Sequence, residues 1–555
     1  MDRRLIKAPG SKAIFEMLEQ LKSLSKDTLI YGASTVIGRC LNFLLVPFYV
    51  NVLHSAAEYG IATSLYTYLS FFMIVYTLGL EAAYFRYAAR GEQETRSEGE
   101  ERDLFSTPFL AILMFGGVLT LVVFTTARLL VGPVFHDPRA NMAAMAPMLT
   151  EILRYGSLIV LFDSLAVIPF AVLRLEQRAR FFALLKFINI VTTLVLNFVF
   201  ILGLHWGVAG IFRANLIASA LVLAMLGPVI VRRFHPKLNR AVSRKLLPFG
   251  LTNLPANLSA MMVQVIDRPI VQNVLGLAVL GVYQANYRLG FVMMVFVSLF
   301  EYAWRPFLLR QARTDDTRAR HLFSRVFTYF MLIALTGFLG LSFGLPYLVS
   351  TPLYHGRRLL KPEYLTGMPI IPVVLFAYVF QGMYTNFIAG IYIKERNKVL
   401  PLITGIGAAV NIGANLYLIP RIGIMGAALA TLFAYMAMAI GVYIESQKAY
   451  PIPYDWNRVG LVAAIVGVAY AAERFITLEN IVRSPMELAA VRASLFGAAV
   501  GTLFIIRFFT RGERAVLRRF FISIAPAGFG SAFEPRIPPA IVEPVELAKE
   551  DQRGS

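Results

Sequence analysis

The 555-residue chain has one cysteine, Cys40, so no disulfide can form within it. Cys40 lies in an apolar run and reads as a small packing residue rather than a reactive thiol. The six histidines include no H-E-x-x-H pair and no Cys/His cluster, which removes support for a metal site. No G-x-x-x-x-G-K-[ST] loop is present, so ATP hydrolysis is not expected on this chain. Charge is also scarce. Asp, Glu, Lys and Arg together make up 15% of the residues, where a soluble globular domain carries about 25%.

Apolar residues make up 57% of the sequence, and the mean hydropathy is +0.63. They fall in long runs, and crossing the hydrocarbon core takes about 20 such residues. Fourteen spans are predicted: about 29–50, 60–86, 104–131, 147–172, 181–204, 207–231, 246–273, 279–305, 321–349, 367–393, 399–419, 423–446, 457–473 and 488–509. The fold class is therefore an all-α polytopic membrane protein. The formal charge of +20 does not point to nucleic acid, because the basic residues cluster in alternate loops. Arg86, Arg90 and Arg102, then Arg174 and Arg178, then Arg232 to Lys245, then Arg305 to Arg325, then Lys394 to Lys398 mark one face. Loops 51–59 and 272–280 hold no Lys or Arg. The positive-inside rule places both termini in the cytoplasm. Arg357, Arg358 and Lys361, in the outer loop 350–366, are the exception. No outer loop is long enough for a catalytic domain, so a transporter is expected rather than an enzyme.

A repeat organises the spans. Leu29-Ile-Tyr-Gly32 and Glu81-Ala-Ala-Tyr84-Phe-Arg86 are answered by Leu247-Pro-Phe-Gly250 and Glu301-Tyr-Ala-Trp304-Arg305, and Glu58-Tyr-Gly60-Ile61 by Leu280-Gly281-Val282. Arg174-Leu-Glu176 and Gly207-Val-Ala-Gly210 are likewise answered by Lys394-Glu395-Arg396 and Gly423-Ile-Met-Gly426. The shift is about 220 residues and separates spans by six, an even number that keeps the copies in one orientation. Two pseudo-symmetric six-helix lobes follow, with two extra helices. The expected divisions are a basic N-terminal segment 1–28, an N-lobe 29–231, a basic linker 232–245, a C-lobe 246–447, spans thirteen and fourteen within 448–510, and a tail 511–555. The first segment lacks a cleavable apolar core, so the first span is expected to insert uncleaved, and Ile14, Phe15, Leu18 and Leu21 at helical spacing suggest a helix lying in the inner interface.

Ionisable groups deep in a bilayer cost about 2.5–3.5 kcal/mol on insertion scales and persist where they face a bundle interior or wet cavity. Arg39 and Arg288 lie mid-span in opposite lobes, with Asp267-Arg268 in the outer part of span seven. Guanidinium forks suit phosphate and cannot be deprotonated. Arg39, Arg288, Arg268, Asp267, Asn42, Asn257 and Tyr287 form the expected cavity set. The competing reading is a buried ion pair with an acid such as Asp163, itself a candidate ion-coupling site. Tyrosines at helical spacing, among them Tyr66, Tyr76, Tyr283, Tyr287, Tyr378 and Tyr384, read either as a sugar path or as packing residues. Glu81 and Glu301, at equivalent helix ends, are expected to form a cytoplasmic gate with Lys245 or to sit as plain headgroup-zone charges. Gly32, Gly38 and Pro47 in span one, and Gly250, Pro255 and Pro269 in span seven, suggest matched bends.

Leu44-Leu-Val46-Pro47-Phe48-Tyr49, Glu58-Tyr59-Gly60 and Gly79-Leu80-Glu81-Ala-Ala-Tyr-Phe85-Arg86 resemble the opening of Wzx-type polysaccharide flippases. These belong to the multidrug/oligosaccharidyl-lipid/polysaccharide exporter superfamily. Ile419-Pro420-Arg421-Ile422-Gly423-Ile424-Met-Gly426-Ala427-Ala428 resembles a recurrent stretch of the same family. The resemblance covers roughly residues 25–510. It implies two lobes plus two added helices, undecaprenyl-diphosphate-linked glycan as substrate, and a bacterial inner-membrane location. It also implies contact with membrane lipids, a glycan polymerase and other assembly proteins as partners, and no cofactor. A cation-coupled drug exporter, a lipid II flippase and a membrane glycan polymerase or ligase are the alternatives.

Overall fold

The computed structural model describes residues 45–506 and 508, apart from 91–96, 141, 312–315, 352–357 and 480–483. Arg39, Asn42, Cys40, the segment 1–28 and the tail 511–555 lie outside the described residues. Two compact units divide the chain, Met1–Phe496 and Gly497–Ser555; the described part of the second is essentially the end of the last helix.

Every regular element among the described residues is helical. In the first lobe these are α1 (45–52), α2 (Ala56–Thr77), α3 (Leu80–Arg90), α4 (Glu98–Val134), α5 (Ala146–Leu175), α6 (Ala179–Asn197), α7 (Gly207–Met225) and α8 (Gly227–Arg233). In the second they are α9 (Arg240–Val265), α10 (Asp267–Leu275), α11 (Leu277–Leu289), α12 (Phe291–Gln311), α13 (Asp316–Ser350), α14 (Ile371–Phe387), α15 (Ala389–Ile393), α16 (Leu400–Ile422) and α17 (Ile424–Ala449). Then come α18 (Trp456–Leu478) and α19 (Pro485–Ile505). Twelve helical stretches among the described residues are long and apolar enough to cross a membrane. They correspond to all the expected spans except the first and the seventh.

The seventh is a pair of helices, α9 and α10, broken at Ile266. Pro248 and Pro255 lie inside α9 together with Asn253, Asn257 and Gln264, so its apolar content is low. Spans two and eight are also broken. Leu78 and Gly79, with φ of 50° and 65°, turn α2 into α3, and Gly290 separates α11 from α12.

Local signals set the helix starts. Ser97 accepts a hydrogen bond from the Glu100 amide (3.3 Å), and the Glu100 carboxylate accepts one from the Ser97 amide (3.3 Å), a reciprocal cap. The helix that follows has 37 residues and therefore runs about 55 Å, well beyond a hydrocarbon core of about 30 Å. Its wet end is tied to the basic linker. Arg233 pairs with Glu176 at 2.5 Å and Glu101 at 3.8 Å, and Asn239 donates to Asp103 at 2.7 Å.

Within the first lobe α5 packs against α4 and α7, and α6 against α7. Within the second, α17 packs against α14 and α16, and α13 against α14. A ring cluster of Phe327, Phe387, Tyr443, Tyr454 and Trp456 holds the start of α18 against the second lobe. Between α18 and α19, Arg492 donates from two nitrogens to the Glu473 carboxylate (2.8 and 2.6 Å), and Glu473 is only 3% exposed. Sequence reading passed over this pair.

Removing one member of a buried pair strands the other charge, at a cost of roughly 3 kcal/mol. Arg492→Ala is expected to lower the thermal midpoint of the detergent-purified protein, and adding Glu473→Gln to recover much of the loss. A single variant that melts with the parent would show that this pair does not hold the last two helices together.

Candidate functional site: a cavity between the lobes

A cavity of about 510 Å³ lies between the lobes. The first lobe contributes Tyr49, Tyr59, Thr63, Tyr66, Thr67 and Ser70 from α1 and α2, Asn189 and Thr193 from α6, and Asn215 from α7. The second contributes Gln264, Arg268, Gln284, Tyr287, Arg288, Tyr378, Gln381 and Tyr435, from α9, α10, α11, α14 and α17. The polarity of α9 is thus explained by its position, since Gln264 faces this space. Two guanidinium groups and no carboxylate line the wall among the described residues.

Arg268 is held by its neighbours. Its Nε donates to Gln284 Oε1 at 2.8 Å, and its Cζ lies 5.6 Å from the Tyr287 ring. The adjacent carboxylate of Asp267 is buried, accepting from the Tyr283 hydroxyl and from the Arg268 amide (3.0 Å). Asp267 therefore offsets part of the Arg268 charge from behind the wall. Arg288 forms no ion pair among the described residues and is half-buried on the cavity side. It lies within electrostatic range of Tyr49, Tyr59 and Tyr66 of the opposite lobe. In a low-dielectric surrounding such a charge acts over longer range than it would in water.

Hydroxyl and amide groups complete the wall. Asn215 Nδ2 donates to the Tyr66 hydroxyl at 3.1 Å, and the Tyr378 and Tyr287 hydroxyls are 3.5 Å apart. The rings of Tyr287 and Tyr435 flank that of Tyr378 at 6.4 and 6.1 Å. Such a surface offers apolar faces beside donors and acceptors, as a sugar requires.

The expected residues divide clearly. Arg268, Arg288 and Tyr287 share the cavity, and Asp267 stands directly behind it. Asn257 is exposed and does not join the wall, because it sits two turns before Gln264, about 10 Å along the axis. Asp163 does not line the cavity; it lies within electrostatic range of Lys186 and of the wall residue Tyr66. Glu81 pairs with Arg174 and Glu301 with Arg305 at 2.5 Å, whereas Lys245 is exposed. The arginines are nearer to these acids than Lys245, so the structure does not form the expected three-residue gate. Sequence reading did not assign Asn215, Gln381, Tyr49, Tyr59 and Tyr435 to the wall: Gln381 and Tyr435 lie in plain apolar runs, and the motif that holds Tyr59 marked the repeat rather than a cavity.

At the end bearing the basic loops the lobes meet through backbone instead. A Cβ on Gly79 would stand 2.4 Å from the Gly250 carbonyl oxygen, and one on Gly250 would stand 2.5 Å from that of Leu78. Arg86 caps this contact over the Phe249 ring at 4.5 Å. Among the described residues no three His, Cys, Asp or Glu side chains gather around a metal-sized space.

Gly250→Ala should push the lobes apart at this end. The check is the rate at which a cysteine placed at Ser70, in a Cys40→Ser background, reacts with a reagent supplied from the basic face. A rate several-fold above the parent is expected, and an unchanged rate would mean that the contact does not seal the cavity.

Comparison with known proteins places this geometry. Over 441 residues the chain is 21% identical to an uncharacterised membrane protein of Methanocaldococcus jannaschii, covering 76% of this chain and 82% of that one. Among solved structures, the lipid II flippase MurJ in an inward closed conformation superposes with a TM-score of 0.67 at 15% identity, covering 87% of this chain and all of that one. An inward-facing multidrug resistance transporter of the MATE family gives 0.58 at 13% identity, covering 74% and 94%. A Pyrococcus furiosus transporter described as having a binding pocket of reversed polarity gives 0.51 at 13%, covering 76% and 95%. These likenesses establish the fold. Residues 53–353, more than half of the sequence, match the family described as polysaccharide biosynthesis protein. The chain belongs to that family, as a multi-pass membrane protein with the fold of the multidrug/oligosaccharidyl-lipid/polysaccharide exporter superfamily.

Proposed function

We propose that the protein is a flippase for polyprenyl-diphosphate-linked oligosaccharide in the bacterial cytoplasmic membrane, working by alternating access. Both termini then face the cytoplasm, and the basic loops mark the side on which the glycolipid enters. The observation that carries this reading is the cavity wall itself, with Arg268 and Arg288 and no carboxylate among its described residues. A diphosphate would lie against Arg288, with Arg268 and Arg39 supplying further positive charge. The sugars would run along the tyrosines and amides, and the lipid chain would remain in the bilayer. Guanidinium groups hold phosphate oxygens by paired, charge-assisted hydrogen bonds. A cation-coupled drug exporter needs the opposite charge at its binding surface. Asp163, set beside Lys186 in the first lobe, is the group we assign to ion coupling.

Reconstitution in vesicles with a labelled polyprenyl-diphosphate oligosaccharide tests the reading. Transfer between leaflets is expected in the parent. Arg288→Ala should reduce it at least tenfold, and the Arg39→Ala/Arg288→Ala double variant should abolish it, with insertion intact. Normal transfer in the double variant would remove these arginines from the path. Transport of a cationic dye in place of the glycolipid would favour the exporter.

A further inference from the structure

At the mouth opposite the basic loops, the two lobes hold each other by the same parts twice. Asn51 and Gln272 are 221 positions apart, as are Ala56 and Leu277, and Gly60 and Gly281. Gln272, at the end of its lobe's first span, donates to the carbonyls of Val134 (2.9 Å) and His136 (3.1 Å) in the other lobe. Asn51, at the corresponding end of span one, donates to the Leu359 carbonyl at 2.9 Å. Residues 134–136 follow span three and Leu359 follows span nine, so the two acceptor loops are also counterparts.

The helix starts cross with the same reciprocity. A Cβ on Gly60 would stand 1.9 Å from the Leu277 carbonyl oxygen, and one on Gly281 would stand 2.0 Å from that of Ala56. Backbone lies directly on backbone at both points, which only glycine permits. Charged groups flank the crossing. Lys361 Nζ donates to the Leu53 carbonyl at 2.6 Å, and the Asp137 carboxylate accepts from the Leu277 amide at 2.8 Å, at the first turn of α11. Lys361 belongs to the outer loop with the most positive charge, and its bond to Leu53 accounts for that residue.

We propose that these contacts form a two-fold clasp that opens as one unit. Each lobe's first span grips the loop after the other lobe's third span, and each loop is carried by its own packed helices. A rotation that breaks one half therefore carries the other out of register, as in a self-complementary interface about a two-fold axis. Gln272 is fully buried, so partial opening would leave its amide without a partner, a cost that favours closed or open over anything between. The clasp rests on the transport reading for its purpose, though its test needs no substrate.

A cysteine at Ser70 in the Cys40→Ser background, probed with a membrane-impermeant maleimide from the side opposite the basic loops, reports the opening. Asn51→Ala and Gln272→Ala are each expected to raise the labelling rate several-fold, and the double variant to add little to either. Asn51→Leu and Gln272→Met, which keep bulk but lose the donor, give the same readout if the alanine forms do not fold. Unchanged labelling in both single variants, or a double effect equal to the product of the two, would overturn the clasp. Failure of glycolipid transfer with labelling as described would instead reject the proposed substrate alone.

Discussion

A charge in a hydrocarbon slab must find either a partner or water, and this requirement orders much of the molecule. Glu473 meets Arg492, Glu151 meets Arg213 at 2.6 Å, and Glu81 meets Arg174. Each pair spans two helices and fixes their mutual height, so the neutralisation of charge doubles as helix registration. Arg288 forms no such pair among the described residues, and together with Arg268 it lines the cavity. Charges spent on packing and a charge kept for a ligand are thus distinguished by their partners.

The same division explains which parts of the protein were legible in its sequence. Twelve of the fourteen expected spans followed from runs of apolar residues, since a membrane crossing needs length more than pattern. The lobes followed from the repeat, because two copies of one motif must occupy equivalent places. Arg268, Arg288 and Tyr287, singled out because charge or repeat position marked them, line the cavity. Asn215 and Gln381 went unmarked, because an amide looks the same whether it bonds helix to helix or faces a cavity. The Glu81, Glu301 and Lys245 gate was drawn from matching positions, but proximity of Arg174 and Arg305 decided the pairing. Equivalent sequence places do not guarantee equivalent partners.

The two closures also differ in kind. At the basic end, Gly79 and Gly250 bring backbones together and Arg86 covers a phenyl ring. At the other end, glycine contacts are joined by amide, lysine and carboxylate bonds across the lobes. Apolar contact slides with little angular preference, whereas hydrogen bonds lose strength steeply with misalignment. The basic end is thus held by backbone approach and a ring contact, and the opposite end also by directional hydrogen bonds.

The polarity of α9 bears on how the chain is made. With two internal prolines and several amides, this helix has little tendency to leave the translocon for lipid by itself. Its neighbours α3 and α16 supply the surroundings that such a segment requires. Its packing comes partly from helices made earlier (α2, α3 and α4) and partly from helices made later (α10, α16 and α17). The surroundings of α9 are therefore complete only once α16 and α17 are made, with the first lobe supplying the earlier part.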